Sequence, residues 1–493
     1  MYNSAAWAGS VLIAILVTPY LVKKLGIEGY GVYALLTSLV GYFSLMDLGL
    51  GQGVTKYAAE YIAQDNREAV VSSIGSALWV QAVLGLAAAA ILVLCADPLL
   101  HAIGVSPGLW RDAKAGLYAV ACGFFFTMLA GTFSSVLMGL QRYDLTSRVS
   151  VATNAGLNLA VVALLWAGWG LKGAVIASAA AAVATCAIYA TLVRGALPGS
   201  WQRALRFDRQ RFRTLLSFSG YVFVSKAAAL FNNYIVRFVV GVILGPAAVT
   251  LYVVPMRIIT AVGGMLGNMA VVVFPFVSEL NAAGYRDRLE RVYVRGSRYI
   301  LAIAFPLYLV LVLFARSIMT AWMGAEFARL TAPVLSVLAG AYLLSAGTMI
   351  PTNVVLGLGR SRVVALFSAM LLGVGLAGIV PLTAAAGVFG TAVGLLLSQL
   401  LAVAFVAYVT VRVLRLSLRS FMRDVLAFHL IGVAVGLLWF AGAHRYVSGV
   451  SVLGQVLVAG FLLALYYGAT VWFGWVPLKE INGILRRRSG IAS

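Results

Sequence analysis

Long apolar runs separated by short polar connections dominate this chain and restrict what it can fold into. A helix needs roughly 20 apolar residues to cross the hydrocarbon core of a membrane. The runs are too long for β-strands, and they lack the alternation of a membrane β-barrel. We therefore predict an all-α integral membrane protein with about fourteen transmembrane helices, at residues 3–21, 30–52, 73–95, 115–140, 149–168, 172–193, 216–243, 247–277, 296–318, 330–356, 363–383, 387–411, 424–443 and 452–475.

The scarcity of charged residues excludes a soluble protein. Only 10% of the residues are charged, whereas a soluble domain carries roughly 25% to cover its surface. The net charge of +21 would indicate nucleic acid in a soluble chain, but here the basic residues lie between apolar runs. Membrane topology and anionic lipid headgroups explain that charge better. We therefore predict membrane lipids as partners and no nucleic acid.

The distribution of basic residues predicts the orientation of the chain. Each connection is numbered by the predicted helix before it, so that the connection between the second and third helices is even-numbered. Most of the 36 lysines and arginines lie in the even-numbered connections and in the C-terminal tail. Basic residues are retained on the cytoplasmic side, so both termini are predicted to be cytoplasmic. The first run, Ala5 to Leu21, is long enough to remain as a helix and has no basic residue before it. We therefore expect no separate signal peptide, and a natural start further upstream stays open.

The chain contains an internal repeat. Four pairs of segments correspond in order, the second of each about 218 residues after the first: Leu25–Tyr33 and Leu244–Tyr252, Tyr57–Glu60 and Phe276–Glu279, Gly139–Arg142 and Gly357–Arg360, and Gly170–Val175 and Gly387–Ala392. A repeat of six spans returns to its starting side, so the halves should be parallel, with a cleft between them as in alternating-access carriers.

The repeat predicts the domain organisation. An N-lobe of six helices is followed by an Arg-rich cytoplasmic linker, a C-lobe of six helices, two further helices and a basic cytoplasmic tail. The predicted limits are 1–193, 194–215, 216–413, 424–475 and 476–493.

Polar side chains inside two neighbouring runs predict an anion site. A charged side chain at the bilayer centre costs roughly 2.5–3.5 kcal/mol or more and normally faces a cavity. At about 100° per residue, Lys226, Asn233 and Arg237 share one helix face, and Arg257 and Asn268 share a face of the next helix. Three cations with few acids would suit a pyrophosphate, because arginine grips phosphate oxygens with two parallel hydrogen bonds.

Other interpretations of these cations stay open. Lys226 could extend its ammonium to the membrane surface. Arg237 could pair with a backbone carbonyl or with Asp47.

Asp47 is the one acid well inside a predicted span, and it precedes the glycine-rich segment Leu48–Gly53. Three roles stay open: binding a coupling cation or proton, neutralising an arginine, or ending a helix at the interface. Asn154 and Asn158, four residues apart, are predicted to form hydrogen bonds between helices.

The sequence shows no pattern typical of an enzyme, a cofactor site or a metal site. There is no P-loop, and no His, Cys and Asp cluster has metal-ligand spacing. The three histidines, His101, His429 and His444, lie near span ends and are predicted to be interfacial. The longest odd-numbered connection, about 96–114, is too short for a catalytic loop and lacks convergent acid and base groups.

Several segments resemble the polysaccharide-transporter family, the O-antigen and exopolysaccharide flippases. They are Thr18–Tyr33, Asp47–Gly51 and Lys56–Glu60, with weaker support from Gly139–Arg142 and Gly170–Gly173. The family is grouped with the multidrug and toxin extrusion carriers and the lipid II flippases. The resemblance implies two six-helix lobes around a V-shaped cavity, followed by two C-terminal helices.

The resemblance also implies a function. The expected substrate is an undecaprenyl-pyrophosphate-linked oligosaccharide, moved from the cytoplasmic to the periplasmic leaflet of a bacterial inner membrane. Lys226, Arg237 and Arg257 match the family's cationic headgroup contacts by residue type and helix. Polysaccharide polymerase machinery is a further expected partner. The alternative is an ion-coupled exporter of drugs or amphipathic metabolites with the same fold.

Overall fold

Every regular element in the described part of the chain is helical, as the apolar runs predict. The computed structural model describes residues 2–43, 47, 50–197, 208–210, 235–427, 429–430 and 452–472. Most of the predicted helices 216–243 and 424–443 therefore lies outside the described residues, and so do Lys226 and Asn233. The all-α membrane fold is confirmed, and the structure is compatible with fourteen spans.

The contacts within the chain form two compact units, Met1–Val254 and Pro255–Ser493. Unit 1 contains α1 (Tyr2–Phe43), α2 (Leu50–Ala63), α3 (Arg67–Leu94), α4 (Ala96–Ala102), α5 (Pro107–Gly139), α6 (Tyr143–Trp166), α7 (Gly170–Ala196) and α8 (Ile235–Leu244). The helix α9 (Pro246–Ala270) begins in unit 1 and ends in unit 2.

Unit 2 continues with α10 (Val273–Ala282), α11 (Arg286–Leu313), α12 (Ala315–Met323), α13 (Ala325–Ala346), α14 (Met349–Gly357), α15 (Ser361–Tyr408), a π-helix (Val409–Val413), α16 (Leu418–Leu426) and α17 (Val452–Trp472). The lobe limits drawn from the sequence stay predictions.

Within the described residues, eight helical segments are long and apolar enough to cross a membrane. One of them, Ser361–Val413, bends at Ala386 and Gly387, where the backbone leaves helical geometry. It therefore contains two of the predicted spans. The long helix α1 bends in the same way at Gly26, whose φ of 74° favours glycine.

The predicted span 30–52 extends too far. It was predicted as one helix, but α1 ends at Phe43 and α2 begins at Leu50. The predicted span 247–277 lies within the apolar segment Pro246–Ala282, in which a turn at 271–272 separates α9 from α10. The physical reason for the first difference is that α2 is a short helix whose apolar residues continue the preceding run in sequence.

Left-handed turns at corresponding positions of the two sequence repeats support the internal duplication. Such conformations are uncommon for residues other than glycine, so their recurrence at matched positions is informative. The pairs are Gly26 and Gly245, Asp65 and Gly284, Gly104 and Gly324, and Gln141 and Gly359.

A close contact between helices that leaves no room for a Cβ atom also occurs twice. A Cβ atom at Gly139, the last residue of α5, would lie 2.7 Å from the carbonyl oxygen of Thr55 in α2. A Cβ atom at Gly357, the last residue of α14, would lie 3.0 Å from the carbonyl oxygen of Phe274 in α10. Thr55 and Phe274 occupy corresponding positions of the repeat. Each unit therefore needs glycine where one of its short helices, α2 or α10, meets the end of a neighbouring helix.

Candidate substrate site

Arg237 is a partly buried cation in the membrane-spanning part of unit 1. Its Nη1 atom donates a hydrogen bond of 3.1 Å to the Oγ of Ser38 in α1. Ser38 is only 3% exposed and donates in turn to the carbonyl oxygen of Ala34 at 2.6 Å. A guanidinium has five N–H donors, so the bond to Ser38 orients Arg237 while using one of them.

Small residues bring α8 close enough to α1 for this contact. A Cβ atom at Gly241 would lie 3.1 Å from the Leu35 side chain, and one at Gly31 would collide with the Pro246 carbonyl oxygen. The Thr250 hydroxyl donates to the Ile27 carbonyl oxygen at 2.5 Å. The glycine-rich segment 25–33 is therefore a packing joint that positions the helix carrying Arg237.

Arg257 and Asn268 lie on the single helix α9, as their spacing predicts. Arg257 is partly buried and Asn268 is exposed, and both belong to unit 2. Between them, a Cβ atom at Gly263 would lie 3.4 Å from the Tyr308 hydroxyl. Because Arg237 belongs to unit 1, the arrangement of the two cationic faces around one site stays a prediction.

Tyr308 was not anticipated as a site residue. It is fully buried, and its hydroxyl finds no hydrogen-bond partner among the described residues. A buried hydroxyl without a partner is costly, and this one lies beside the glycine-rich part of α9. A single tyrosine inside an apolar run gives no sequence signal that could have identified it.

Asp47 lies in a polar cluster inside unit 1. Its Oδ1 atom accepts hydrogen bonds from Gln81 Nε2 in α3 at 2.5 Å and from the backbone N–H of Gly51 at 3.3 Å. The second bond lies at the start of α2, where unpaired N–H groups favour a carboxylate. The carboxylate therefore lies at the start of a helix, and all three predicted roles of Asp47 stay hypotheses.

Gln81 adds a second oxygen to this cluster. Its side chain is 1% exposed, and its Oε1 atom is buried without a hydrogen-bond partner among the described residues. Ser135 Oγ lies 2.8 Å from where a Cβ atom of Gly51 would be. Carboxylate, amide and hydroxyl oxygens are ligands suited to hard cations. No group of three or more His, Cys, Asp and Glu side chains that could hold a metal ion occurs in the described residues.

The prediction that Asn154 and Asn158 join helices is wrong. On α6, the Asn154 side chain is exposed and the Asn158 side chain is partly exposed. Their Nδ2 atoms donate to carbonyl oxygens of the same helix, those of Ser150 at 3.0 Å and Asn154 at 2.8 Å. The acceptor four residues earlier satisfies each amide locally, so neither needs a neighbouring helix.

His429 is buried inside the protein, and its predicted depth at the membrane interface stays a prediction. This ring is 4% exposed and stacks on Phe305 with centroids 4.8 Å apart. Its Nδ1 atom forms a 2.7 Å hydrogen bond with the Tyr466 hydroxyl. That bond gives one ring nitrogen a partner inside unit 2, which lowers the free-energy cost of burying the ring.

Comparisons with known proteins identify the family. A family model described as polysaccharide biosynthesis protein matches residues 1–281, which is more than half of the chain. The chain belongs to this family. This polysaccharide biosynthesis family member is 25% identical over 370 residues to a putative O-antigen transporter of Shigella flexneri, covering 74% of this chain and 86% of the relative.

Solved structures agree on the fold. The lipid II flippase MurJ in an inward closed conformation matches with a TM-score of 0.76 at 12% identity, covering 96% of this chain and 98% of that one. An inward-facing multidrug resistance MATE family transporter of the MOP superfamily matches with a TM-score of 0.69 at 15% identity, covering 82% and 94%. The polysaccharide biosynthesis family member is therefore a multi-pass membrane protein with a MurJ-like and MATE-like fold, and its relatives place it among transporters rather than enzymes.

Proposed function

We propose that the protein is a flippase for an undecaprenyl-pyrophosphate-linked oligosaccharide, an O-antigen or exopolysaccharide repeat unit. It turns this substrate from the cytoplasmic to the periplasmic leaflet of a bacterial inner membrane by alternating access. The family and the O-antigen relative support the glycan, and the MurJ-like fold supports the lipid carrier. The observation that carries the proposal is Arg237, a cation inside the membrane-spanning region that a buried serine orients.

The proposed chemistry follows from what must cross the membrane. A pyrophosphate diester is the anionic part of the substrate and the most costly to take out of water. Arg237 and Arg257 receive it with charge-assisted hydrogen bonds, which are roughly twice as strong as neutral ones. Lys226 adds a movable positive charge, while Asn233 and Asn268 offer hydrogen bonds to the first sugars. These hydrogen bonds offset part of the cost of taking the charged pyrophosphate out of water.

The first test is a strain in which the gene is deleted, with lipid-linked intermediates extracted and their leaflet tested with a periplasmic glycan-binding probe. We expect undecaprenyl-pyrophosphate glycan to accumulate out of reach of the probe, and to become accessible again when the wild-type gene is restored. If glycan export were normal while sensitivity to cationic drugs changed, the exporter alternative would replace the flippase.

Asp47 is proposed to couple transport to a cation or proton gradient. Asp47→Asn keeps an oxygen that can accept from Gln81 and Gly51 but removes the negative charge. We therefore expect the variant protein in vesicles to be folded yet insensitive to an imposed gradient. Transport by Asp47→Asn that still responded fully would eliminate the coupling role.

Glu326→Gln is the matched control for Asp47→Asn. Glu326 is an exposed acid at the start of α13, so removing its charge changes net charge by the same amount outside the Asp47 cluster. The control should respond to the gradient as the wild type does. A loss in both variants would indicate a general effect of charge and would count against Asp47 as the coupling residue.

A further inference from the structure

Unit 2 contains an arginine-lined cavity that the proposed transport does not use. It has a volume of about 400 Å³ and lies where the α10–α11 turn, the end of α14 and the segment after the π-helix meet. Three arginines, Arg286, Arg360 and Arg415, and one acid, Glu290, line it. The remaining lining residues are leucines and a valine, among them Leu358, together with Asn281 and Gly284. The cavity is therefore cationic and mainly polar, with apolar side chains along part of its wall.

The arginines come from three separate connections, and the structure fixes one of them directly. Arg286 Nη2 donates to the Leu414 carbonyl oxygen at 3.3 Å, and its Nε lies 3.4 Å from Glu290 Oε1. Glu290 thus balances Arg286, which leaves Arg360 and Arg415 as excess positive charge in the cavity lining. Arg360 directly precedes α15 and follows the left-handed Gly359.

The backbone beside the cavity is irregular but well held. Arg415 has a φ of 59°, a left-handed conformation that is unfavourable for an L-residue. The π-helix ends two residues before it, at Val413, and π-helical segments frequently occur at functional sites. The Leu416 N–H donates to the Thr410 carbonyl oxygen at 2.8 Å, and the Thr410 hydroxyl bonds Tyr293 at 2.7 Å. This strained turn therefore holds an arginine where glycine would be easier.

The corresponding turn of unit 1 differs in charge. Arg142, which corresponds to Arg360, forms an ion pair with Asp144 at 3.2 Å. In unit 2 the residue two positions after Arg360 is Arg362. The same turn thus carries an ion-paired arginine in unit 1 and two nearby arginines in unit 2. This difference indicates that unit 2 needs positive charge at this position.

We propose that this cavity binds the phosphate headgroup of an anionic phospholipid, with the start of its acyl chains along the apolar wall. Arginines can hold phosphate oxygens in bidentate geometry, and basic pockets at membrane surfaces recognise anionic lipid headgroups. A lipid is favoured over a soluble phosphate because the three arginines come from connections that the basic-residue bias places on one membrane face. Leucine and valine side chains lie beside these arginines in the lining. The inference holds whatever substrate the protein transports.

The test measures lipid binding by the full-length protein, purified in a neutral detergent and analysed by native mass spectrometry. Dioleoylphosphatidylglycerol is titrated against dioleoylphosphatidylcholine, and glycerol 3-phosphate is the soluble phosphate. The informative variant combines Arg360→Gln with Arg415→Gly, because glycine adopts the left-handed turn at position 415 without strain. Arg362→Gln is the matched control, since Arg362 is exposed in the first turn of α15, two residues after Arg360, but does not line the cavity.

We expect wild type and Arg362→Gln to prefer phosphatidylglycerol, and the double variant to bind it about 25-fold more weakly, roughly fivefold for each arginine removed. Unchanged affinity in the double variant would overturn the proposal. Equal binding of phosphatidylcholine would show that headgroup charge is not recognised and would also overturn it. Glycerol 3-phosphate binding as tightly as the lipid would replace the lipid with a soluble phosphate ligand.

Discussion

Replacing Arg237 and Arg257 together by alanine is expected to reduce glycan export by roughly 100-fold or more. A hydrogen bond to a charged group contributes about 1.5–3 kcal/mol, and each 1.4 kcal/mol is a factor of ten. Removing either arginine should therefore cost about tenfold or more. Export is measured as surface glycan formed after induction of the variant gene in the deletion strain, at matched protein levels. Normal export by the double variant would contradict the assignment of both residues.

Substitutions beside these arginines separate charge from geometry. Lysine at each position keeps the charge but loses the planar pair of donors, so export should fall between alanine and wild type. Ser38→Ala should impair export because it removes the hydrogen bond that orients Arg237. Thr37→Ala should not, since the Thr37 hydroxyl donates to the Tyr33 carbonyl oxygen of its own helix. Arg329→Ala, at an exposed position of α13, controls for net charge. Equal effects of Ser38→Ala and Thr37→Ala would argue against a positioning role for Ser38.

The sequence identifies candidate polar residues but not the partners that position them. The spacing of Arg257 and Asn268 predicts one helix, and α9 is continuous through both. The partner of Arg237, by contrast, lies about 200 residues earlier in an apolar run. The partner of Asp47 is a glutamine on another helix. Helical periodicity reports which residues share a face of one helix, whereas partners depend on how helices pack, so Ser38, Gln81 and Tyr308 were not predicted.

The limits of the helices were predictable where the hydropathy pattern and a glycine-rich segment both mark a helix end. The break near Gly387 and the turn around Gly168 were both expected from glycine-rich segments, and the backbone leaves helical geometry at both places. The separate helix α2 was missed because a hydropathy window detects the length of an apolar stretch, not a break of the helix within it. Lys56 and Glu60 on α2 are polar, which is typical of a helix that leaves the hydrocarbon core. A helix break within one apolar stretch has little effect on mean hydropathy.

Gly139→Ala is expected to destabilise the protein by about 1–3 kcal/mol, the usual effect of overpacking. The added methyl group would lie 2.7 Å from the Thr55 carbonyl oxygen and 2.8 Å from the Ala58 Cβ atom, and helix backbones cannot yield as a flexible side chain can. In a membrane the close approach of helices supplies much of their association energy, so separating α2 from α5 should lower the thermal midpoint. The measurement is thermal unfolding of the purified protein in detergent.

Gly131→Ala is the matched control for Gly139→Ala, on the same helix and with the same added methyl group. A Cβ atom at Gly131 would meet no atom within 4 Å, and alanine favours a helix over glycine by up to about 1 kcal/mol. The control should therefore be as stable as wild type or more stable. Gly357→Ala should resemble Gly139→Ala, because its methyl group would lie 2.7 Å from Val277 Cγ1. Unequal losses of stability at Gly139 and Gly357 would show that the two corresponding helix contacts are not packed equally tightly. Equal losses of stability at Gly131 and Gly139 would contradict the packing argument itself.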